Sequence, residues 1–242
     1  MNLEGKIALV TGGAHRVGRR IALALARQGC DLVVHYHRSQ TDAKATVHDL
    51  TRAGAHAVAI QADLSHPAGI DHLFGELDRL RGRLDILINS AAILTPVDLL
   101  TATYADWAST MDLNLRAPFF CLQAAARRMQ AHGGAIVNIS DVAGQRPWRR
   151  YPIHSISKAG VDMLTRTAAL ALAPAIRVNG VAPGPVEKPT RMADDRWAEI
   201  GRAVPLGRTG SGDDVAAAVV FILRNDYLVG ETIAVDGGDL IR

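Results

Sequence analysis

With 242 residues, 48% hydrophobic and 21% charged, the chain has apolar content for one large core and is neither disordered nor fibrous. Its net charge of +3 permits an anionic ligand but is too weak to suggest a nucleic-acid surface. The two cysteines, Cys30 and Cys121, form no CxxC and no His/Cys cluster, which argues against structural zinc and for a reducing compartment.

In chain order, the hydrophobic pattern predicts a strand over 7–10, a helix over 16–28, a strand over 32–36 and a helix over 41–53. A strand over 57–61 and a helix over 67–80 follow. Further strands are expected at 84–89, 135–139 and 177–181, each followed by a helical segment, and 232–235 closes the series. The strands are apolar throughout rather than alternating, as when both sheet faces are covered. Strand–helix alternation then predicts a doubly wound parallel α/β sheet with right-handed crossovers. No repeat or Pro/Gly-rich linker divides the chain, so 1–242 reads as a single domain. Prolines 183, 185, 189 and 205 break the rhythm, and 187–205 is expected to be an irregular lid over a site. The N-terminus lacks an apolar signal core, and the longest apolar run, 215–223, is too short for a bilayer. The expectation is a soluble, cytoplasmic protein without a membrane partner.

The first strand ends in Thr11-Gly12-Gly13-Ala14-His15-Arg16-Val17-Gly18. Glycines there let the backbone turn tightly and approach a pyrophosphate seated on the next helix's N-terminus. Gly12, His15, Arg16, Val17 and Gly18 are therefore candidate cofactor contacts. The second strand ends in His35-Tyr36-His37-Arg38-Ser39, with Arg38 20 residues beyond Gly18. An NAD site would place an acid there for the ribose hydroxyls. Arg38 and Arg16 instead suit a 2′-phosphate, which predicts NADP(H), with Tyr36, His37 and Ser39 around it. Asp63-Leu64 ends the third strand, where an acid can bond the adenine amine. Asn89-Ser90-Ala91 ends the fourth and is expected against the adenosine ribose.

These segments, with Asn114, the strand end Asn138-Ile139-Ser140-Asp141, Lys158, Pro183-Gly184 and Asp236-Gly237-Gly238, resemble the short-chain dehydrogenase/reductase family over essentially the whole chain. Within it, the motifs look most like pteridine reductases. Those share Arg at the middle glycine of the turn (Arg16), the His-Tyr-His-Arg-Ser run, and Asp where most members carry the catalytic Ser (Asp141). The resemblance implies a Rossmann-type seven-stranded parallel sheet, a homotetramer, hydride transfer with a small-molecule substrate, and a nicotinamide pocket lined by Pro183, Gly184 and Val186. It also implies that Lys158 holds the nicotinamide ribose and that Asn114 holds a water linked to that Lys.

The family's Tyr, four residues before the Lys, is His154 here, 13 residues after Asp141 as the family spacing requires. Positions i and i+4 share a helix face, so His154 and Lys158 are expected in one cleft. Three readings stay open. His154 takes over proton transfer, since imidazole titrates near neutrality; or Asp141 is the main proton donor and His154 positions a water or substrate; or the protein only binds NADP(H), as a sensor or scaffold. Tyr151 precedes Pro152 and is expected in a loop. Ser90 replaces the family's second Asn, and Ala92-Ile93-Leu94 offers no ring to stack a pterin. Stacking is then left to the nicotinamide and an aliphatic side chain. Arg146-Pro147-Trp148-Arg149-Arg150 reads as a solvated rim.

Overall fold

Seven parallel strands form one sheet in the order β3-β2-β1-β4-β5-β6-β7 in the computed structural model, which describes residues 1–189 and 192–242. They are β1 (Ile7–Thr11), β2 (Asp31–Tyr36), β3 (Ala57–Gln61), β4 (Ile86–Asn89), β5 (Gly134–Ile139), β6 (Ile176–Pro183) and β7 (Thr232–Val235). The helices are α1 (Arg16–Arg27), α2 (Gln40–Arg52), α3 (Pro67–Arg81), α4 (Tyr104–Met111), α5 (Ala117–Met129), α6 (Pro152–Leu172), α7 (Asp194–Ala203) and α8 (Gly212–Arg224).

The two-residue period of a strand sends alternate side chains to opposite faces, and the sheet has a core on each. Ala8 and Val10 of β1, Leu32 and Val34 of β2, and Ile86 and Ile88 of β4 share one core with Ile21 and Leu25 of α1 and Val219 of α8. Leu9, Val33 and Leu87 share the other with Leu73 of α3, Cys121 of α5 and Leu164 of α6. Double coverage explains the continuous apolar runs.

Strand order reverses between β1 and β4, whose C-terminal residues Thr11 and Asn89 are register partners. Crevices open beyond the strand C-termini at such a reversal. β4 is shorter than expected, and β6 runs on to Pro183. The expected irregular lid instead contains α7, with Asp194 and Asp195 in its first turn and Arg202 in its last, which complements the helix dipole. Residues 190 and 191 of that segment lie outside the described residues. Asn114 sits not in a regular helix but in a π-helical turn, Asp112–Arg116, joining α4 to α5; such turns are frequent at functional sites. Among the described residues no helix is long and apolar enough to cross a membrane, and no His/Cys/Asp/Glu group is placed to hold a metal.

Candidate active site

A cleft of about 1130 Å³ runs along the C-terminal ends of the strands. At one end, β1 leads into the glycine turn. Gly12 takes a left-handed φ of 64°, and a Cβ there would lie 3.0 Å from Ala91 Cα. A Cβ on Gly18 would lie 2.9 Å from the Gly12 carbonyl carbon, so both positions need glycine for close approach. His15, at the N-cap of α1, makes no side-chain cap, and the first turn carries no acid. Its unpaired N–H groups and the helix dipole favour an anion. The cradle thus fits a pyrophosphate.

Ser90 and Ala91 are held against the turn, their N–H groups donating to Thr11 Oγ1 at 2.9 and 3.1 Å. Tyr36, His37, Arg38, Ser39, Asp63 and Leu64 line the same end. The exposed Arg38 makes no ion pair with a described residue. Asp63 Oδ1 accepts from Ser65 N at 3.0 Å and Ser65 Oγ at 2.5 Å; these bonds, the hydroxyl's first, hold its carboxyl below the usual range.

One expected contact, Asn89, lies off the cleft, and another, Arg16, lines it while bonded to the protein's own carbonyls. The Asn89 carboxamide is buried and donates to Asn138 Oδ1 at 2.9 Å and Pro118 O at 3.3 Å. It ties β4 to β5 instead of lining the cleft. Arg16, at a left-handed φ of 51°, donates to the carbonyls of Glu187 at 3.1 Å and Lys188 at 3.3 Å. Its guanidinium therefore rests on the segment that follows β6.

At the other end, Asp141 follows β5 and caps a short 3-10 turn, Oδ1 accepting from Ala143 N at 2.8 Å. Its Oδ2 lies 3.6 Å from Nε2 of His154, which is buried in the first turn of α6. His154 Nδ1 is 3.2 Å from Ile93 O. Asn114 Nδ2 donates to the same carbonyl at 2.9 Å, and its Oδ1 accepts from Ile93 N at 2.9 Å. Nδ2 also reaches Ser157 Oγ at 3.3 Å and His154 Nδ1 at 3.3 Å. Assigning the neutral ring's proton to Nδ1 satisfies Ile93 O and leaves the second Asn114 N–H for Ser157. Nε2 then presents a buried lone pair without a partner, facing a carboxylate oxygen. Two such acceptors call for one proton between them or a donor group from a ligand. Asn114 is thus engaged with Ile93, His154 and Ser157, off the cleft wall, and is not aimed at Lys158.

Lys158, one turn beyond His154, is buried and donates from Nζ to Ile139 O at 2.9 Å. Burial draws its ammonium below the usual lysine range, against the opposing charges of Asp141 and Asp162. Pro183, Gly184 and Val186 line the cleft beside it.

The chain matches the family model described as enoyl-(acyl carrier protein) reductase over residues 12–239. It is 37% identical over 243 residues to a 3-oxoacyl-[acyl-carrier-protein] reductase of Synechocystis, covering 98% of this chain and 97% of that protein. It is also 37% identical to 2-dehydro-3-deoxy-D-gluconate 5-dehydrogenase of Escherichia coli, covering 100% and 98%. A Serratia marcescens short-chain dehydrogenase/reductase mutant superposes with a TM-score of 0.93 at 30% identity, over 99% of this chain and 100% of that one. Acetoin dehydrogenase of Salmonella typhimurium gives 0.91 at 31%, over 98% and 96%. The chain belongs to the short-chain dehydrogenase/reductase family.

In this short-chain dehydrogenase/reductase the half of the cleft around His154 holds residues that the sequence pattern did not place in a site. Trp148, Tyr151 and Arg150 enter from the loop before α6, and Met192, Trp197 and Ile200 from α7 and the residues just before it. The Trp148 ring lies near-parallel to His154, at 18° and 6.3 Å between centroids, and Tyr151 meets it edge-on at 5.9 Å. Tyr151 occupies the N-cap of α6, as its place before Pro152 implies. The basic stretch is divided. Arg146 donates to Asp239 Oδ1 at 3.1 Å, whereas Trp148 and Arg150 form cleft wall. Aromatic rings therefore line this half of the cleft, although Ala92-Ile93-Leu94 brings none. A Trp-Arg pair seven residues after Asp141 was the available signal, obscured by three arginines that read as solvated.

Proposed function

We propose that the protein is an NADPH-dependent oxidoreductase that reduces a small carbonyl or pterin-like heterocyclic substrate. The observation that carries the cofactor choice is the end of β2, where Arg38 stands without an ion partner among the described residues and the run Tyr36-His37-Arg38-Ser39 carries no acid of its own. A guanidinium there pairs with a 2′-phosphate. Gly12, His15, Val17 and Gly18 would hold the pyrophosphate, with Asp63 and Ser90-Ala91 around the adenosine. Lys158, Pro183, Gly184 and Val186 would surround the nicotinamide ribose and ring. The cofactor supplies the hydride when bound.

The protein's own part is orientation and one proton. Asp141 or Nε2 of His154, 3.6 Å apart, carries a proton that is delivered to the substrate oxygen or ring nitrogen as hydride arrives. Asn114 and Ile93 fix the imidazole by its Nδ1 side, so that Nε2 keeps its aim. Trp148 and Trp197 favour a planar substrate by area. Lid segment 187–205, which is proposed to cover the substrate, contributes Trp197.

A second reading, a catalytically weak NADP(H)-binding protein, draws on the Lys158 ammonium being bonded to Ile139 O and buried. One experiment separates the two. Loss of NADPH absorbance with dihydrobiopterin or a panel of small carbonyls supports the reductase; NADPH binding without turnover on any of them refutes it. A homotetramer is part of the proposal, supported by exposed Trp107, Phe119, Ile156 and Met163 on α4–α6. A cytoplasmic setting is supported by Cys30 and Cys121, both buried and unpaired, with burial pushing each thiol up to about 12.

A further inference from the structure

His35 is a polar residue where the sheet calls for an apolar one. Two residues earlier Val33 packs into the core that holds Ile60, Ala62 and Leu64, and the strand period puts position 35 on the same face. The histidine is only 3% exposed. A buried polar ring is costly unless both nitrogens are bonded, and here both are. The Gly12 N–H donates to Nδ1 at 3.0 Å, and Nε2 is 3.1 Å from Ala62 O. A donor on one side and an acceptor on the other leave a single arrangement: neutral imidazole with its proton on Nε2. The main chain joins in, Gly13 N donating to His35 O at 3.0 Å.

One residue therefore grips two consecutive N–H groups of the glycine turn, one by its ring and one by its carbonyl. It ties them through Nε2 to the end of β3, next to Asp63. The ring fixes the peptide plane between Thr11 and Gly12, hence the direction in which the turn presents its remaining N–H groups. We propose that His35 is a positioning residue for the cofactor: its Nδ1 pre-sets the phosphate-binding turn, and affinity for the dinucleotide depends on that bond. The proposal rests on the reading that this cleft binds NADP(H), but it concerns a residue that does not itself meet the phosphates.

Three variants test it by calorimetric titration with NADP+. The amide oxygen of His35→Asn occupies roughly the place of Nδ1 and can accept from Gly12. His35→Gln reaches towards Ala62 but does not replace that acceptor, and His35→Leu keeps apolar volume and makes neither bond. The expected result is that the Asn variant binds close to the wild type. The Gln and Leu variants should bind roughly tenfold more weakly or worse, each tenfold being about 1.4 kcal/mol. A role in stability alone would lower melting temperature according to how much packing is lost, without this Asn/Gln division. Wild-type affinity in His35→Gln, or Asn and Gln variants equally weakened, would overturn the proposal, and the pair decides even where His35→Leu fails to fold. Should the wild type take up neither NADP+ nor NAD+, the reading of the cleft falls with it; should the wild type bind and the variants not divide, only the role of His35 falls.

Discussion

Gly18→Ala is the sharpest test of the phosphate cradle. A Cβ at this position would sit 2.9 Å from the Gly12 carbonyl carbon and 3.1 Å from Gly13 Cα, while carbon–carbon contact is comfortable near ~3.5–4.0 Å. The obstruction is backbone, so no side chain can swing aside. Either α1 backs away from the turn by roughly half an ångström or more, or the turn opens. Overpacking of this kind costs about 1–3 kcal/mol, and a domain of this size loses about 2–4 °C in melting temperature per kcal/mol. Gly75→Ala provides the comparison: Gly75 is exposed within α3, and a Cβ there meets nothing within 4 Å. Removing a mid-helix glycine should stabilise by about 0.5–1 kcal/mol. Thermal melting of both variants, followed by NADPH titration, gives the answer. Gly18→Ala should melt several degrees lower and bind NADPH at least roughly tenfold more weakly, while Gly75→Ala should melt higher and bind as the wild type does. A Gly18→Ala protein with unchanged melting and affinity would refute the claim that this turn is packed to its limit.

Arg38→Asp replaces a charge-assisted partner of the 2′-phosphate with a repulsive one, so the preference for NADPH over NADH should fall by roughly tenfold or more, read from paired titrations; an unchanged ratio would mean that Arg38 does not touch the cofactor. His154→Phe keeps the ring volume beside Trp148 and removes the proton carrier. Turnover of any substrate found should drop by about 10²-fold with NADPH affinity retained, and full activity would pass the proton role to Asp141 alone. Stability should also fall in acid. Burial, chiefly, lowers the pKa of His35 from 6.5 to about 4, with His37 and Asp63 the nearest charged groups. The unfolded chain takes up that proton near 6.5 and the native protein only near 4. The contribution is therefore complete above pH 6.5 and is lost as the pH falls to 4, by about 3 kcal/mol. Urea unfolding at a series of pH values should show the wild type losing about that much more than His35→Asn, and parallel curves would contradict the assignment.

Much of this was legible in the chain. Continuous apolar strands gave the parallel sheet, because burial on both faces removes the polar half of each strand's pattern. The tight turn at Gly12 and Gly18 was readable because close approach of backbone to backbone restricts residue type. Asn89 misled because a strand-end amide serves equally to cross-link neighbouring strands or to meet a ligand, and only the register of β4 against β5 separates the two. The surroundings of Asn114 were hidden for the same reason: its amide bonds Ile93 and Ser157 and lies beside His154, none of them near it in sequence. Helix α7 escaped notice because flanking prolines outweighed a short amphipathic run. Trp148 and Trp197 reach the cleft from segments 49 residues apart, and no local pattern announces such a meeting.

The guanidinium of Arg16 spans two regions with different tasks, being rooted in the glycine turn and resting on the carbonyls of Glu187 and Lys188. Whatever anion recruits it must compete with those carbonyls, so filling the turn and releasing the adjoining segment become linked equilibria. Linkage is reciprocal: a ligand that favoured the released segment would tighten the hold on an anion in the turn by the same factor.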